Sequence, residues 1–249
     1  MAERVDVVIT VKTLARAKSR LLGAADQGIG DRAAHEALAL ALVRDTVAAA
    51  SATPSVRRVL VVTSDPTVAD VLAADGVTTT PDRPDLGLNA AFAYGADLLL
   101  SADPLARVAA LQSDLPALRP EELAAALAEA DGRRAFCPDR QGTGTTLLVA
   151  AAGDPLDPRF GVGSAAAHAA SGAVPIGSAL PTLRCDVDTA ADLTVAGTLG
   201  LRGHTAALCH GAPGRAGPAA PYAVSSAPPL ASLCSGAEDT AGGRTGVGG

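Results

Sequence analysis

The alternation of short apolar runs with longer helical runs constrains this chain more than any other feature. VDVVITV at 5–11 is short, rich in β-branched residues and almost continuously apolar, as expected of a strand buried on both faces. The run that begins after Asp31 instead carries apolar residues at helical spacing as far as Ala50. The two patterns alternate to residue 202, with further strands predicted at 56–64, 76–80 and 107–111 and near residues 135, 147 and 183, and helices at 66–75, 89–101, 120–130, 164–168 and 191–199. This order predicts an α/β domain with a mixed, mostly parallel sheet and helices on both faces.

The segment from Gly203 to Gly249 differs in composition from the rest of the chain. Gly, Pro, Ala and Ser dominate it, and no apolar period is sustained. Such a segment cannot bury enough apolar surface to offset the entropy lost on ordering. The sequence therefore predicts a single folded domain at 1–202 and a disordered tail at 203–249.

Charge and apolar patterning exclude several classes of protein. The 26 acidic and 20 basic side chains give a formal net charge of −6, and no basic stripe carries interleaved aromatic residues, so we expect no nucleic-acid partner. The first apolar run ends at Lys12, far short of a membrane span or of the apolar region of a signal peptide. The four cysteines lack metal-ligand spacing, and a chain of 249 residues needs no disulfide bonds to fold. These features predict a cytoplasmic protein that contacts neither membrane nor nucleic acid.

Three aspartates follow predicted strands. Asp114 follows one strand, and Asp186 and Asp188 follow another. Because the carboxyl ends of parallel strands meet at one edge of a sheet, these carboxylates are expected close together, where their repulsion favours a bound cation. Oxygen ligands suit Mg²⁺ rather than zinc. Each residue also has a structural interpretation, Asp114 as a turn residue before Pro116 and Asp188 as the N-cap of the next helix.

The loop after the first strand concentrates positive charge. It carries Lys12, Lys18 and Arg20, and its two lysines are the only lysines among the 20 basic residues. A position that keeps lysine in so arginine-rich a chain suggests that a compact ammonium works better there than a planar guanidinium. Such a loop is well placed to neutralise a polyphosphate, although a solvated loop without a ligand is the alternative.

Two glycine-rich segments carry hydroxyl groups. GTGTT at 142–146 and FGVGS at 160–164 combine glycines, which let an anion approach the backbone, with hydroxyl and amide donors. GTGTT can equally be a hairpin turn, and His168, one helical turn after FGVGS, can equally be a surface histidine. Two segments, at 28–33 and 161–166, match a dinucleotide-binding pattern but lack its strand–turn–helix context, and the sequence has no Walker A motif. Dinucleotide-binding and P-loop proteins are therefore excluded.

Six motifs occur in a fixed order between residues 11 and 193: VKTLARAKSRLL, GLNAAF, LQSDLPAL, DRQGTGTTLL, FGVGS with AAAH, and DVDTAADL. This ordered set resembles the guanylyltransferases of coenzyme F420 biosynthesis. That family looks like a small branch of the nucleotidyltransferases, so the resemblance implies a single-domain, Rossmann-like α/β fold. The tail lies outside the resemblance.

The resemblance implies that a phosphorylated three-carbon acid attacks the α-phosphorus of GTP and expels pyrophosphate. The GC-rich, actinobacterial type of composition favours phosphoenolpyruvate as the acid, with 2-phospho-L-lactate and 3-phosphoglycerate as alternatives; a downstream transferase of the F420 pathway would then take the product. Carried onto this sequence, the family's residues are Asp114, Asp186 and Asp188 for Mg²⁺, Lys12 and Lys18 for the triphosphate, Thr146, Gly161 and Ser164 for the acid, and Asn89 for guanine or ribose, with Lys12, Lys18 and Asp114 as the catalytic set.

The chemistry of such a reaction agrees with these residue types. Two polyanions must meet, so charge stabilisation and positioning dominate, and an acceptor phosphate that is already ionised needs no activated nucleophile. Two other functions stay open. A molybdenum-cofactor-type or sugar-phosphate nucleotidyltransferase would carry a Gly-rich first loop, which VKTLARAKSRL replaces here. A non-catalytic nucleotide-binding module would not need three acids as well as an acceptor pocket.

Overall fold

The computed structural model describes residues 4–14, 21, 22, 24, 28, 30–83 and 85–209. Within these residues the chain forms seven strands and seven helices. The strands are β1 (Val5–Val11), β2 (Val56–Thr63), β3 (Thr78–Thr80), β4 (Arg107–Leu111), β5 (Ala135–Pro138), β6 (Thr145–Val149) and β7 (Val174–Pro175). The helices are α1 (Arg32–Ser51), α2 (Pro66–Ala74), α3 (Leu88–Ala102), α4 (Pro120–Ala130), α5 (Ser164–Ala170), α6 (Ala190–Leu199) and α7 (Gly203–Cys209).

The strands form one sheet in the order β3-β2-β1-β4-β6-β5-β7. β1 pairs in parallel with β2 and β4, β2 with β3, and β5 with β7, whereas β6 runs antiparallel to both of its neighbours. The predicted mixed, mostly parallel sheet is therefore confirmed, with β6 as the antiparallel exception. Because β1, β2 and β4 run the same way, the loops that follow them emerge at one edge. We call this the carboxyl edge, and the opposite one the amino edge.

Helices cover both faces of the sheet. On one face, α1 and α4 pack on the strands through side chains such as Val43 and Leu123. On the other face, α3 packs on Val8 and Val62 through Phe92 and its neighbours. Full burial of one such large side chain contributes about 1.5–3 kcal/mol, so these two apolar layers supply most of the driving force for folding.

The close packing of α3 requires a glycine at position 95. A Cβ atom at Gly95 would lie 2.6 Å from Val8 Cγ1 and 2.8 Å from Val62 Cγ2. Overlap of this kind forces packed elements apart, at a cost of about 1–3 kcal/mol. The glycine thus sets the height of α3 above the sheet, and with it the position of the first turn of α3 at the carboxyl edge.

The strand predicted near residue 183 does not form. Residues 181–184 make a turn, and an irregular segment that belongs to no strand follows. The backbone N–H groups of Thr182 and Leu183 donate to Glu122 Oε2, at 2.8 and 3.2 Å, and the N–H of Val187 donates to the Asp114 carbonyl. Buried backbone groups must find partners, and here a glutamate and a loop carbonyl replace a strand ladder.

The chain remains ordered beyond residue 202. Residues 203–209, predicted to begin the disordered tail, form α7. The buried carboxylate of Asp45 in α1 accepts hydrogen bonds from the N–H groups of His204 and Thr205, at 3.0 and 2.8 Å, and so satisfies open donors at the start of α7. The rest of the predicted tail, 210–249, lies outside the described residues. In the described part of the chain, no helix is both long and apolar enough to cross a membrane.

Candidate active site

The loop that carries Asp114 is fixed from two sides. Leu115, the next residue, donates its backbone N–H to Thr46 Oγ1 of α1 at 2.8 Å. The Asp114 carbonyl accepts the N–H of Val187 at 3.0 Å. Asp114 itself is buried, with 6% of its surface exposed. Both anchors hold this carboxylate at the carboxyl edge directly after β4.

Asp186 and Asp188 lie beside this loop because they flank Val187. Asp186 is half-buried, and Asp188 is exposed. The hydrogen bond between Val187 and Asp114 therefore brings two acidic segments together that are far apart in sequence. Among the described residues, no three His, Cys, Asp or Glu side chains form a group that could hold a metal ion. The three-aspartate metal site stays a prediction.

Several charged groups around this edge affect the pKa of the Cys185 thiol. Burial raises its pKa to about 11; the charge of Arg140 lowers it, and the charges of Asp186, Asp192 and Asp114 raise it. Arg140 Nη2 also binds Asp192 Oδ1 at 3.0 Å. Asp114, Asp186, Asp192 and Arg140 thus all lie close enough to Cys185 to affect its pKa, and Arg140 connects Asp192 of α6 to the chain just before GTGTT.

Lys12 follows β1 directly and is exposed at the carboxyl edge. Two residues further on, the N–H of Leu14 donates to Asp65 Oδ2 at 2.9 Å. The other oxygen of Asp65 accepts two N–H groups at the start of α2, so one carboxylate fixes both the Lys12 loop and this helix. Sequence reasoning missed Asp65, although an aspartate before a proline after a strand is a typical helix start. Lys18 lies outside the described residues.

Asp139 shapes the GTGTT loop. Its Oδ1 accepts the N–H of Thr143 at 2.9 Å, and its Oδ2 accepts the N–H of Gly144 at 2.8 Å. A Cβ atom on Gly144 would overlap Oδ2 of Asp139, which explains the glycine at this position. GTGTT is therefore a turn into β6, as its structural interpretation predicts. The carboxylate of Asp139 fixes the shape of this turn by accepting backbone N–H groups.

Thr146 occupies a β-bulge. Cys137 of β5 pairs with Leu147 of β6, and the next residue, Pro138, pairs with Thr145. Thr146 is therefore the extra residue on β6. Bulges commonly redirect side chains beside active sites. Thr146 is fully buried, with Oγ1 3.4 Å from the Cys137 carbonyl oxygen, and its own carbonyl accepts the N–H of Gln112 at 2.9 Å. Thr146 thereby joins the strand after GTGTT to the loop that carries Asp114.

FGVGS leads into α5 and touches GTGTT. Ser164 is the first residue of α5, is 2% exposed, and donates its N–H to the Gly161 carbonyl at 3.1 Å. The N–H of Ala165 donates to the Thr143 carbonyl at 3.1 Å, which joins the two glycine loops. Gly161 is exposed and has a φ of 135°, and Val162 is fully exposed. The two loops are therefore joined into one unit, in which Gly161 is exposed and Ser164 is buried.

Asn89, which the sequence assigned to guanine or ribose, binds this second loop. Its Nδ2 donates to the Phe160 carbonyl at 2.9 Å, and its Oδ1 accepts the Phe160 N–H at 2.7 Å. One residue of FGVGS therefore engages both ends of the amide. Because Asn89 lies in the first turn of α3, the contact ties α3 to the loop. The nucleotide contact stays a prediction, and the contact of Asn89 with the FGVGS loop is one that the sequence did not reveal.

His168 is fully buried rather than on the surface. Its ring lies edge-on to Phe160, with centroids 5.1 Å apart. Its Nε2 accepts the N–H of Arg159 at 2.9 Å, and its Nδ1 lies 2.9 Å from Thr145 Oγ1. Burial, aided by nearby guanidinium groups, lowers its pKa to about 4. The ring is therefore neutral near pH 7, and since Nε2 accepts a hydrogen bond, the hydrogen-bond network assigns the proton to Nδ1.

Comparison with known proteins places this edge in context. The profile of the MobA-like NTP transferase domain matches residues 19–169, more than half of the chain. The phosphoenolpyruvate guanylyltransferase of Geodermatophilus obscurus is 53% identical over 207 residues, which cover 83% of this chain and 94% of that protein. The protein of the same name from Streptomyces coelicolor is 51% identical over 204 residues, which cover 81% of this chain and 94% of the relative.

Solved structures share the fold at much lower identity. A structure named as a nucleotide-diphospho-sugar transferase, from Desulfovibrio desulfuricans, superposes with a TM-score of 0.58 at 17% identity, over 78% of this chain and 86% of that one. 4-Diphosphocytidyl-2C-methyl-D-erythritol synthase does so with a TM-score of 0.51 at 14% identity, over 79% and 98%. At these identities the likeness shows the nucleotidyltransferase-like α/β fold alone.

Proposed function

The chain belongs to the MobA-like NTP transferases and, within them, to the phosphoenolpyruvate guanylyltransferases, and from this premise we propose that it transfers GMP from GTP to phosphoenolpyruvate. The products are pyrophosphate and enolpyruvoyl-2-diphospho-5'-guanosine, an intermediate for coenzyme F420. The observation that carries the proposal is 53% identity over 94% of a relative of that name. The fold supports it, because acids and glycine loops meet at one edge of the sheet.

The reaction exchanges one phosphoanhydride bond for another. A phosphate oxygen of phosphoenolpyruvate forms a bond to the α-phosphorus of GTP, while the bond from that phosphorus to the oxygen bridging the β-phosphate breaks. Pyrophosphate leaves with the bond electrons. The acceptor phosphate is already an anion near neutral pH, so no side chain has to remove a proton. The work of the protein is to hold two polyanions in line and to offset their repulsion.

The two joined glycine loops form the acceptor side of the proposed site. The exposed backbone at Gly161 and the hydroxyl of Ser164 would donate hydrogen bonds to the phosphate or carboxylate of the acid. Thr146 is buried beneath them, and we assign it to supporting this surface from the bulge of β6. The bond between Ala165 and Thr143 keeps the two loops at a fixed distance.

The loop after β1 forms the triphosphate side. Lys12 is exposed at the end of β1, where an ammonium group can reach phosphate oxygens. We assign Lys18, six residues after Lys12 in the sequence, to the triphosphate as well. Cationic groups that contact the leaving pyrophosphate stabilise the charge that develops on it, which lowers the barrier to transfer.

We assign a divalent cation to the acidic side. Asp114, Asp186 and Asp188 would hold it, because carboxylate oxygens are the ligands that Mg²⁺ prefers and the Val187 bond keeps both acidic segments together. When bound, Mg²⁺ supplies positive charge against the triphosphate. The contribution of the chain is to keep Asp114 fixed between α1 and the 185–188 segment.

A pyrophosphate-release assay tests the proposal. The protein is incubated with GTP, Mg²⁺ and phosphoenolpyruvate, together with an F420-pathway transferase that consumes the unstable product, and pyrophosphate should accumulate. Parallel reactions with 2-phospho-L-lactate and 3-phosphoglycerate identify the preferred acid, and CTP in place of GTP tests the nucleotide. Release with none of the three acids would overturn the proposal. Binding of GTP that persists in EDTA, without turnover, would instead favour a nucleotide-binding module.

A further inference from the structure

The segment before Gly161 is held in place by side chains. Residues 155–160 have no helical or strand structure, and Asp157 within them has a φ of 42°, in the left-handed region. Beyond them, Gly161 and Val162 are exposed and bury no apolar surface. Residues 155–160 are held by the buried side chains of Leu156 and Phe160 and by hydrogen bonds from other elements, two of which come from Asn89 and His168.

Asn89 binds Phe160 in the way that a neighbouring strand would. The amide supplies one donor and one acceptor to the backbone of a single residue, at 2.9 and 2.7 Å. The ring of Phe160 also packs on Phe92, with ring centroids 4.6 Å apart. Since Phe92 lies one helical turn after Asn89, α3 contacts both the backbone and the ring of Phe160. Phe160 is thereby fixed to α3, and the close approach at Gly95 sets the height of α3 above the sheet.

His168 holds Arg159, the residue before Phe160. Its Nε2 accepts the N–H of Arg159, and its Nδ1 bonds to Thr145 Oγ1 on β6. The imidazole therefore bridges the 155–160 segment to β6, whose first two residues are the last two of GTGTT. Arg134 adds two further bonds, from its guanidinium to the carbonyls of Leu156 and Asp157, at 2.6 and 2.8 Å.

We infer that Asn89 and His168 are positioning residues that hold the 159–160 backbone so that Gly161 and Ser164 stay in place for the acceptor acid. The inference rests on the proposed function, since it names the subsite that these two residues serve. It departs from the sequence prediction for Asn89, because it assigns the amide to the acceptor acid rather than to guanine or ribose. The two assignments predict opposite kinetic results.

Steady-state kinetics of Asn89→Ala separate the two assignments. Loss of two backbone hydrogen bonds should raise KM for phosphoenolpyruvate about tenfold or more and leave KM for GTP within about twofold. Asp97→Ala, at an exposed position more than two turns further along α3, is the matched control and should change neither constant. A rise confined to KM for GTP would overturn the inference and support the nucleotide contact.

Hydrogen–deuterium exchange tests the positioning role without any turnover. In Asn89→Ala, the backbone amides of 159–161 should exchange at least about tenfold faster than in the wild-type protein, because the partner of the Phe160 N–H is gone. Amides of β1 should be unchanged, which shows that the fold is intact. Equal exchange at 159–161 in both proteins would refute the inference. If exchange changes but the wild-type protein releases no pyrophosphate, the proposed function fails while the positioning stands.

Two substitutions at His168 complete the test. In His168→Gln the side-chain carbonyl can replace Nε2 as the acceptor for the Arg159 N–H, whereas His168→Ala removes both contacts. KM for phosphoenolpyruvate should rise in the alanine variant and return at least partly towards the wild-type value in the glutamine variant. A glutamine variant as impaired as the alanine variant, with both folded by circular dichroism, would contradict the role given to Nε2.

Discussion

The two edges of the sheet use their charged side chains for different purposes. At the amino edge, the buried carboxylate of Asp6 binds the guanidinium groups of Arg57 and Arg58, with shortest distances of 2.7 and 2.6 Å. Arg57 binds Asp103 as well, at 2.6 Å. At the carboxyl edge, the buried carboxylate of Asp65 instead binds backbone N–H groups of the loop after β1 and of α2. Asp6 pairs its charge with two other charges, whereas Asp65 uses its charge to shape loops.

The difference shows how each edge contributes to function. The hydrogen bond from Arg57 lowers the pKa of Asp103, and the hydrogen bond to Asp6 raises the pKa of Arg57, so Asp103 and Arg57 stay ionised and their charges offset each other. A backbone N–H fixes a carboxylate without cancelling its charge. Asp139 acts in this way on GTGTT. The carboxyl edge thus gains loops of defined shape from Asp65 and Asp139.

Asp114→Ala should give the largest effect, and on activity rather than stability. We expect kcat/KM to fall at least about 150-fold, a loss of about 3 kcal/mol or more of transition-state stabilisation, on the scale of a lost catalytic electrostatic group. The backbone anchors of the loop, to Thr46 and Val187, do not involve the side chain. The assay is pyrophosphate release, with the unfolding midpoint measured in parallel. Near-normal turnover would reject the metal role of Asp114.

Asp6→Asn tests the opposite edge, where stability should change and activity should not. Removing the buried carboxylate charge leaves two guanidinium groups without their main partner, which costs about 3 kcal/mol for a buried ion pair. Asp103→Asn is the matched control, because this more exposed partner of Arg57 should contribute less than about 1 kcal/mol. Urea unfolding measures both variants. If Asp6→Asn raised KM for either substrate without loss of stability, the division between the edges would be wrong.

The sheet could be predicted from the sequence because its pattern is local. Each strand from β1 to β6 shows its own apolar or β-branched run, and the strand order brings the predicted loops to one edge. The turn at 181–184 and the helix α7 could not be predicted. The side-chain carboxylates that bind their backbone N–H groups, Glu122 and Asp45, lie 60 and 159 residues away in sequence. A periodic pattern carries no information about such distant hydrogen bonds.

The same physical limit separates the predicted site residues from those that were missed. Asp114 and the glycine loops are visible because they directly follow strands or contain unusual residue types. Asp65, Asp139 and His168 act through hydrogen bonds to backbone groups. Any polar residue in a loop could form such bonds, so the sequence alone does not single these three out. The role of Asn89 depends on Phe160, 71 residues away, so only the folded chain reveals it.

Acid should weaken the carboxyl edge before the amino edge. The folded-state pKa of His168 is about 4, below its ordinary value of 6.5, so the stability contributed by the neutral ring is fully present above pH 6.5 and is lost as the pH falls towards 4. The loss amounts to at most about 3 kcal/mol at 1.36 kcal/mol per pKa unit. Urea unfolding across this pH range should show a steeper decline for the wild-type protein than for His168→Gln. Parallel profiles would show that His168 does not titrate in this window.

Gly144→Ala should have the smallest effect, and it asks whether a carboxylate that shapes a loop matters to the acceptor acid. The added Cβ would displace the Asp139 carboxylate from the N–H groups of Thr143 and Gly144, which costs about 1–3 kcal/mol when buried groups lose their partners. Gly197→Ala is the control, since a Cβ there meets no atom within 4 Å and alanine favours the helix. If the carboxylates of the carboxyl edge shape loops for binding, Gly144→Ala should raise KM for phosphoenolpyruvate as well as lower stability. The reason is that Thr143 also joins GTGTT to FGVGS. A loss of stability with an unchanged KM would mean that Asp139 holds the turn for folding alone, as Asp6 holds the amino edge.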